Sequence, residues 1–194
     1  MDQEIEKRSI LSSPQKINLE KSYSDTARIL DIGGGGEGII GSIYGSNVVA
    51  IDKYAEELYE TENESLKIIM DAANMSFIDK SFDAATLFYF FFYMTPDEKK
   101  AVLRECRRVL KKEGTLEICD ISIPKYENGP KDIFIADLHI ALPNHKKIDT
   151  KYGAMMREEA QDAEHIIRIC EQARFKLTHS EVNNESFHLS FIKD

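Results

Sequence analysis

Residues 29–52 read Ile-Leu-Asp-Ile-Gly-Gly-Gly-Gly-Glu-Gly-Ile-Ile-Gly-Ser-Ile-Tyr-Gly-Ser-Asn-Val-Val-Ala-Ile-Asp. An apolar run enters a glycine cluster, a helix-length segment follows, and a second apolar run ends in a carboxylate. That order predicts strand, loop, helix, strand and acidic tip. Glycine lets a backbone turn tightly and lets a ligand approach it, because no Cβ stands in the way. A carboxylate closing the second strand of such a unit accepts both hydroxyls of a ribose. The stretch therefore points to an adenosine-containing cofactor.

Two cofactors fit the glycines. Gly33, Gly35 and Gly38 match the dinucleotide pattern G-x-G-x-x-G, and Asp52 lies nineteen residues after Gly33, close to the ~20 of that fingerprint. The second pattern is Asp31-x-Gly33-x-Gly35, with an acidic residue two positions before the first glycine. Here the stretch resembles motif I of the class I S-adenosylmethionine-dependent methyltransferases. Asp31 separates the two readings. A carboxylate repels a dinucleotide pyrophosphate but attracts the sulfonium and ammonium of S-adenosylmethionine. The family has a third glycine where this chain has Glu37, with glycine following at Gly38.

The rest of the chain extends the resemblance over residues 28–121, about half of the 194 residues. Asp71-Ala72 follow the expected third strand. Ser81-Phe82-Asp83-Ala84-Ala85 resembles the opening of the family's fourth strand. Glu105-x-x-Arg108-Val109-Leu110-Lys111-x-x-Gly114 is similar to its helix-to-fifth-strand signature, with Glu113 where proline or glycine is usual. The resemblance implies that Gly33, Gly34 and Gly35 pass under the methionine portion and that Asp31 lies near its ammonium. It implies that Asp52, with Lys53 beside it, holds the ribose, and that Asp71 and Ala72 read the adenine. Phe88, Phe92 and Tyr93 occupy positions that border cofactor and acceptor in this family. Asp120, His139 and Tyr152 are the further acceptor-side candidates. No fixed general base is read.

Pattern gives the frame. Strands are expected at 28–32, 47–51, 66–70, 82–89 and 115–121, the second apolar throughout, as a strand covered on both faces should be. Helices are expected at 37–44 and 54–62. Thr95-Pro96-Asp97-Glu98 is a capping box opening a third helix, which Lys111, Lys112 and Gly114 should end. Phe134, Ala136, Leu138, Ile140 and Leu142 alternate, as in a strand or extended flap. A late helix is expected at about 157–173, then strands 176–182 and 187–192 joined by the turn Asn183-Asn184-Glu185-Ser186. Strand and helix alternate and a hairpin closes the chain. The fold class is α/β, a doubly wound seven-stranded Rossmann-like sheet, mostly parallel with an antiparallel C-terminal strand. The expected organisation is one domain over 1–194: an N-terminal arm at 1–27, polar and loose or part helical over 1–16, a cofactor-binding core at 28–121, an acceptor-side segment at 122–160, and the terminal helix and hairpin at 161–194. The aromatic run from Phe88 to Tyr93 reads mainly as a buried central strand.

Composition narrows the partners. A net charge of −9 argues against nucleic acid, which needs a basic face. The Asn-Pro-Pro-Tyr signature of DNA amino-methyltransferases and the Pro-Cys pair of cytosine C5 chemistry are both missing. A small-molecule acceptor is expected, with a protein acceptor left open. Three cysteines without C-x-x-C spacing fit a reducing cytoplasm. A charged N-terminal stretch does not resemble a secretory signal, and the longest apolar run, 84–94, is too short to span a bilayer. His165, His179 and His188 show no ligand spacing, so no metal is expected. Two alternatives stay open. One is an NAD(P)-dependent oxidoreductase, although the chain lacks an obvious Tyr-x-x-x-Lys hydride-transfer set. The other is a non-catalytic S-adenosylmethionine-binding protein.

Overall fold

The structure, a computed structural model, describes residues 3–194. Among the described residues five α-helices, α1 (Gln3–Arg8), α2 (Ile39–Tyr44), α3 (Ala55–Tyr59), α4 (Pro96–Val109) and α5 (Ala163–Gln172), combine with eleven strands. The strands are β1 (Ser9–Leu11), β2 (Gln15–Asn18), β3 (Ile29–Ile32), β4 (Val48–Asp52), β5 (Leu66–Ile69), β6 (Phe82–Phe88), β7 (Leu110–Ile121), β8 (Ile133–Ala141), β9 (Lys147–Met155), β10 (Phe175–Asn183) and β11 (Ser186–Lys193).

Seven strands form one sheet in the order β10-β11-β7-β6-β3-β4-β5. From β5 to β7 all neighbours are parallel. β11 then runs antiparallel to β7, and β10 antiparallel to β11. This is the α/β class expected. Period-two alternation sends successive side chains to opposite faces. Leu30, Ile32, Ala85, Leu87, Leu116 and Ile118 pack on one face with α4 and α5. Ile29, Ala50, Ala84 and Ile121 pack on the other, under α2 and α3. α4 starts as its sequence dictates: Glu98 N donates to Thr95 Oγ1, and Glu98 Oε2 accepts from Thr95 N at 2.8 Å. Among the described residues no helix is long and apolar enough to cross a membrane.

Residues 3–18 depart from the loose arm expected of 1–16, although α1 meets its part-helical alternative; residues 1–2 lie outside the described residues. β1 and β2 line up along one edge of β8, both parallel to it, while β9 pairs antiparallel along the whole of β8. The alternating residues Phe134, Ala136, Leu138 and Ile140 face inward, and this second sheet covers the α2 side of the main one. Glu185 Oε2, in the turn between β10 and β11, accepts from Ser13 N, Ser13 Oγ and Gln15 Nε2. The polar residues that suggested looseness are these edge partners.

Other boundaries shift for local reasons. α4 ends at Val109 rather than at Lys111 and Lys112. Leu110 already pairs with Phe82, and the chain bulges before Thr115 pairs with Ala84. Glu113 takes φ +60° in that bulge, and Lys111 pairs with Asp83 at 2.5 Å instead of capping the helix. α2 begins at Ile39, because Gly38 is in the left-handed region. α3 shortens to Ala55–Tyr59. The late helix begins at Ala163, where Asp162 accepts from His165 N at 2.7 Å. The aromatic run is not one strand: β6 ends at Phe88, Tyr89 has φ +50°, and Phe91–Tyr93 form a one-turn 3-10 helix.

Candidate functional site

The glycine loop leaves β3 at the carboxyl end of the parallel strands. Gly33 N and Gly34 N both donate to Ile51 O, at 2.9 and 3.2 Å, which bends the chain toward β4. Each glycine makes room for a particular neighbour. Gly33 has φ +73°, and a Cβ there would sit 2.2 Å from Phe90 Cδ2. A Cβ on Gly34 would meet the Asp31 carboxylate at 2.6 Å, and one on Gly35 would meet Glu57 Cβ at 2.5 Å. Gly36 N donates to Glu57 O at 2.8 Å. The loop is thus pressed between Phe90 and α3.

Asp31 lies beneath this loop, 2% exposed, with Oδ1 accepting from Thr86 Oγ1 at 2.9 Å. Burial pushes its carboxyl up to about 7; the Thr86 hydrogen bond opposes that rise and the negative charge of Asp52 adds to it. Asp52 closes β4, half-buried, with Oδ1 accepting from Tyr54 N at 2.9 Å. Its carboxyl is also raised, mainly by burial. Lys53 Nζ lies over the Tyr54 ring, 4.9 Å from its centroid. Exposed Asp71 follows β5 and accepts from Ala73 N at 2.8 Å, beside buried Ala72. Asp31, Asp52 and Asp71 therefore stand at or just beyond the carboxyl ends of three adjacent parallel strands, where open α/β sheets bind ligands.

Phe88 is placed differently from its expected position beside the loop. It lines a cavity of about 430 Å³ on the α2 face of the sheet. The left-handed turn at Tyr89 breaks the alternation and swings Phe90, not Phe88, against Gly33. Sequence reading missed Phe90, because nothing in an unbroken aromatic run marks where the strand stops.

The acceptor-side candidates separate. Phe92 is buried and Tyr93 exposed, their rings 4.1 Å apart. Asp120 is fully buried and its oxygens are taken: Oδ1 by Ile121 N and Gln161 Nε2, Oδ2 by Phe92 N. Gln161 Oε1 in turn accepts from buried Lys99 Nζ. Burial raises the Asp120 carboxyl to about 7. Asp120 thus clamps the 3-10 turn and has no oxygen turned to an open site. His139 and Tyr152 point to opposite faces of the second sheet. His139 Nδ1 meets Asp149 Oδ1 at 2.6 Å on the outer face. Tyr152 faces inward and donates its hydroxyl to Glu37 Oε2, while Thr150 Oγ1 donates to Glu37 Oε1. Glu37, the residue that breaks the glycine pattern, therefore ties the loop to β9. Its signal was a lone charge inside a glycine run.

Comparison with known proteins agrees with this geometry. Residues 30–118 match the family model described as a methyltransferase domain. A demethylmenaquinone methyltransferase of Thermotoga maritima is 46% identical over 76 residues, which is 39% of this chain; the chain spans 32% of that relative's length. A solved S-adenosylmethionine-dependent methyltransferase of Methanosarcina mazei superposes with a TM-score of 0.62 at 19% identity, covering 88% of this chain and 94% of its own. The 1,6-didemethyltoxoflavin-N1-methyltransferase of Burkholderia thailandensis, solved with 1,6-didemethyltoxoflavin and S-adenosylhomocysteine, gives 0.54 at 12% identity, covering 85% and 70%.

Proposed function

We propose that this chain is a class I S-adenosylmethionine-dependent methyltransferase and transfers a methyl group from S-adenosylmethionine to a small-molecule acceptor. The observation that carries the reading is the Asp31 carboxylate buried directly under Gly34. An anion there favours a cationic ligand and opposes a pyrophosphate. When bound, S-adenosylmethionine would supply an electrophilic methyl on its sulfonium for a nucleophilic acceptor, with S-adenosylhomocysteine as the leaving group.

The residues fit that group. Gly33, Gly34 and Gly35 offer a backbone surface free of side chains for the methionine portion, with Phe90 as its wall. Asp31 supplies negative charge for the ammonium. Asp52, beside Lys53, accepts from the ribose hydroxyls, and Asp71 with Ala72 borders the adenine. The protein's remaining task is alignment, and proximity supplies much of the rate in such a step. Tyr93, its ring packed on buried Phe92, offers ring surface to an acceptor with a flat apolar body. Tyr152 limits its approach through the bond to Glu37. One relative is named for demethylmenaquinone and another for 1,6-didemethyltoxoflavin, neither of them a protein, which supports this acceptor class. Three free cysteines support a reducing cytoplasm as its location.

Isothermal titration with S-adenosylmethionine, S-adenosylhomocysteine and NAD in parallel tests the reading. Binding of the first two without NAD is the expected result. NAD binding alone would replace it with an oxidoreductase.

A further inference from the structure

A second cluster of chemistry lies at the far edge of the main sheet. In the hairpin of β10 and β11, His179 and Glu181 are two residues apart on one strand, and so share a face. Glu181 stands directly opposite His188. One nitrogen or oxygen from each of the three lies within 4.8 Å of the others, and the two imidazole rings are 5.7 Å apart. Sequence spacing does not reveal this set, because the hairpin register creates it.

We propose that His179, Glu181 and His188 form a binding site for a divalent transition ion of the zinc class. Three features support it. First, the donor set of two imidazoles and one carboxylate suits zinc and its neighbours, and three protein ligands leave a position for water or a ligand atom. Second, Glu117 on β7 meets His188 Nε2 at 2.6 Å and is itself fixed by Ser190 Oγ at 2.7 Å. A carboxylate on one ring nitrogen orients the imidazole and leaves the other nitrogen for a metal, the usual support behind a ligating histidine. Third, Glu181 and His188 stand at the rim of the 430 Å³ cavity. Among the described residues lining that cavity are the carboxylates Glu20, Glu117 and Glu181, and no lysine or arginine. Lys16 lines the adjoining cleft that Glu181 and His188 share, and the three carboxylates of the cavity outnumber it, so the rim favours a cation.

His139 also has carboxylate neighbours but forms no such site. Its two carboxylate neighbours sit on different ring nitrogens, Asp149 at Nδ1 and Asp137 at Nε2. They therefore converge on no common point. The ligands of the proposed site belong to a paired hairpin and lie half open to solvent, with side chains 54%, 54% and 42% exposed for His179, Glu181 and His188. An ion can enter without the fold opening. The site is independent of the methyl-transfer reading, since none of its residues borders the glycine loop.

The test is competition between the untagged full chain and a chromophoric chelator for Zn²⁺. One ion should bind per chain, undisplaced by excess Mg²⁺, which prefers all-oxygen sites. His179→Gln and His188→Gln should each weaken Zn²⁺ by at least about tenfold, and Glu117→Gln by about 10–100-fold through loss of ring orientation. His139→Gln should leave the affinity unchanged. His179→Gln lies on the surface and keeps the folded state, so its result stands even if a more buried variant unfolds. Absence of stoichiometric Zn²⁺ binding, or unchanged affinity in His179→Gln with the thermal transition retained, overturns the proposal.

Discussion

Replacing Asp31 by asparagine separates electrostatic recognition from mere loop geometry. The wild-type carboxyl, buried under Gly34, sits at about 7. A cationic cofactor selects the ionised form, so its apparent affinity scales with the ionised fraction. That fraction rises from about 3% at pH 5.5 to about half at pH 7, predicting a roughly fifteenfold gain in affinity. The window stays below the ligand's own α-amino group, which titrates near 8. Titration calorimetry of S-adenosylmethionine at pH 5.5, 6.25 and 7 reads this slope. Asp31→Asn should bind more weakly at pH 7 and lose most of the slope. Stability should move the other way. A carboxyl raised in the folded state contributes stability present below its unfolded pKa, which is lost as pH rises through about 7. Asparagine cannot ionise, so the variant should have a larger unfolding free energy than wild type at pH 8, by an amount on the order of 2–4 kcal/mol. An Asp31→Asn protein with the wild-type slope and affinity would refute the counter-ion argument.

Three further outcomes follow from the same site. Asp52→Ala should weaken S-adenosylmethionine by roughly 1–3 kcal/mol through lost hydrogen bonds to a charged acceptor; an unchanged dissociation constant in the folded variant removes the ribose assignment. Gly33→Val should abolish cofactor binding, because its Cβ would fall 2.2 Å from Phe90 Cδ2 at a backbone with φ +73°; normal affinity would place the ligand elsewhere. Tyr152→Phe removes the hydroxyl donated to Glu37 and should cost about 1.5–3 kcal/mol locally. Faster amide hydrogen exchange in β9 would register that loss, and unaltered exchange would mean the contact does not hold the strand.

The parallel half of the sheet was legible because its signals are local. Residues 29–52 carry two apolar strands, a glycine turn and an acidic tip, and each maps onto β3, α2 and β4. Thr95 and Glu98 marked the start of α4 for the same reason. What stayed hidden depends on distant register or on backbone sign. Gln15–Asn18 is short and polar, and only its pairing with β8 makes it a strand. Tyr89 adopts φ +50°, which no side-chain pattern announces, and so the ring against the loop is Phe90. Asp120 was read as a site carboxylate from its place near a strand end. Its bond to Gln161, forty-one residues away, turns it into an internal clamp. The three histidines without ligand spacing gave no hint that a cross-strand pair would bring two of them together.

The parallel pairing of β1 and β2 with β8 has a consequence for how the chain reaches its native state. Ser9 must find Ile133 and Gln15 must find Leu138, so more than a hundred residues have to be synthesised before the first strands have partners. Closing so long a loop is entropically unfavourable until the contacts inside it exist. The sheet from β3 to β7 should therefore nucleate first. The leading segment then docks late, as the strip that seals an already assembled interior.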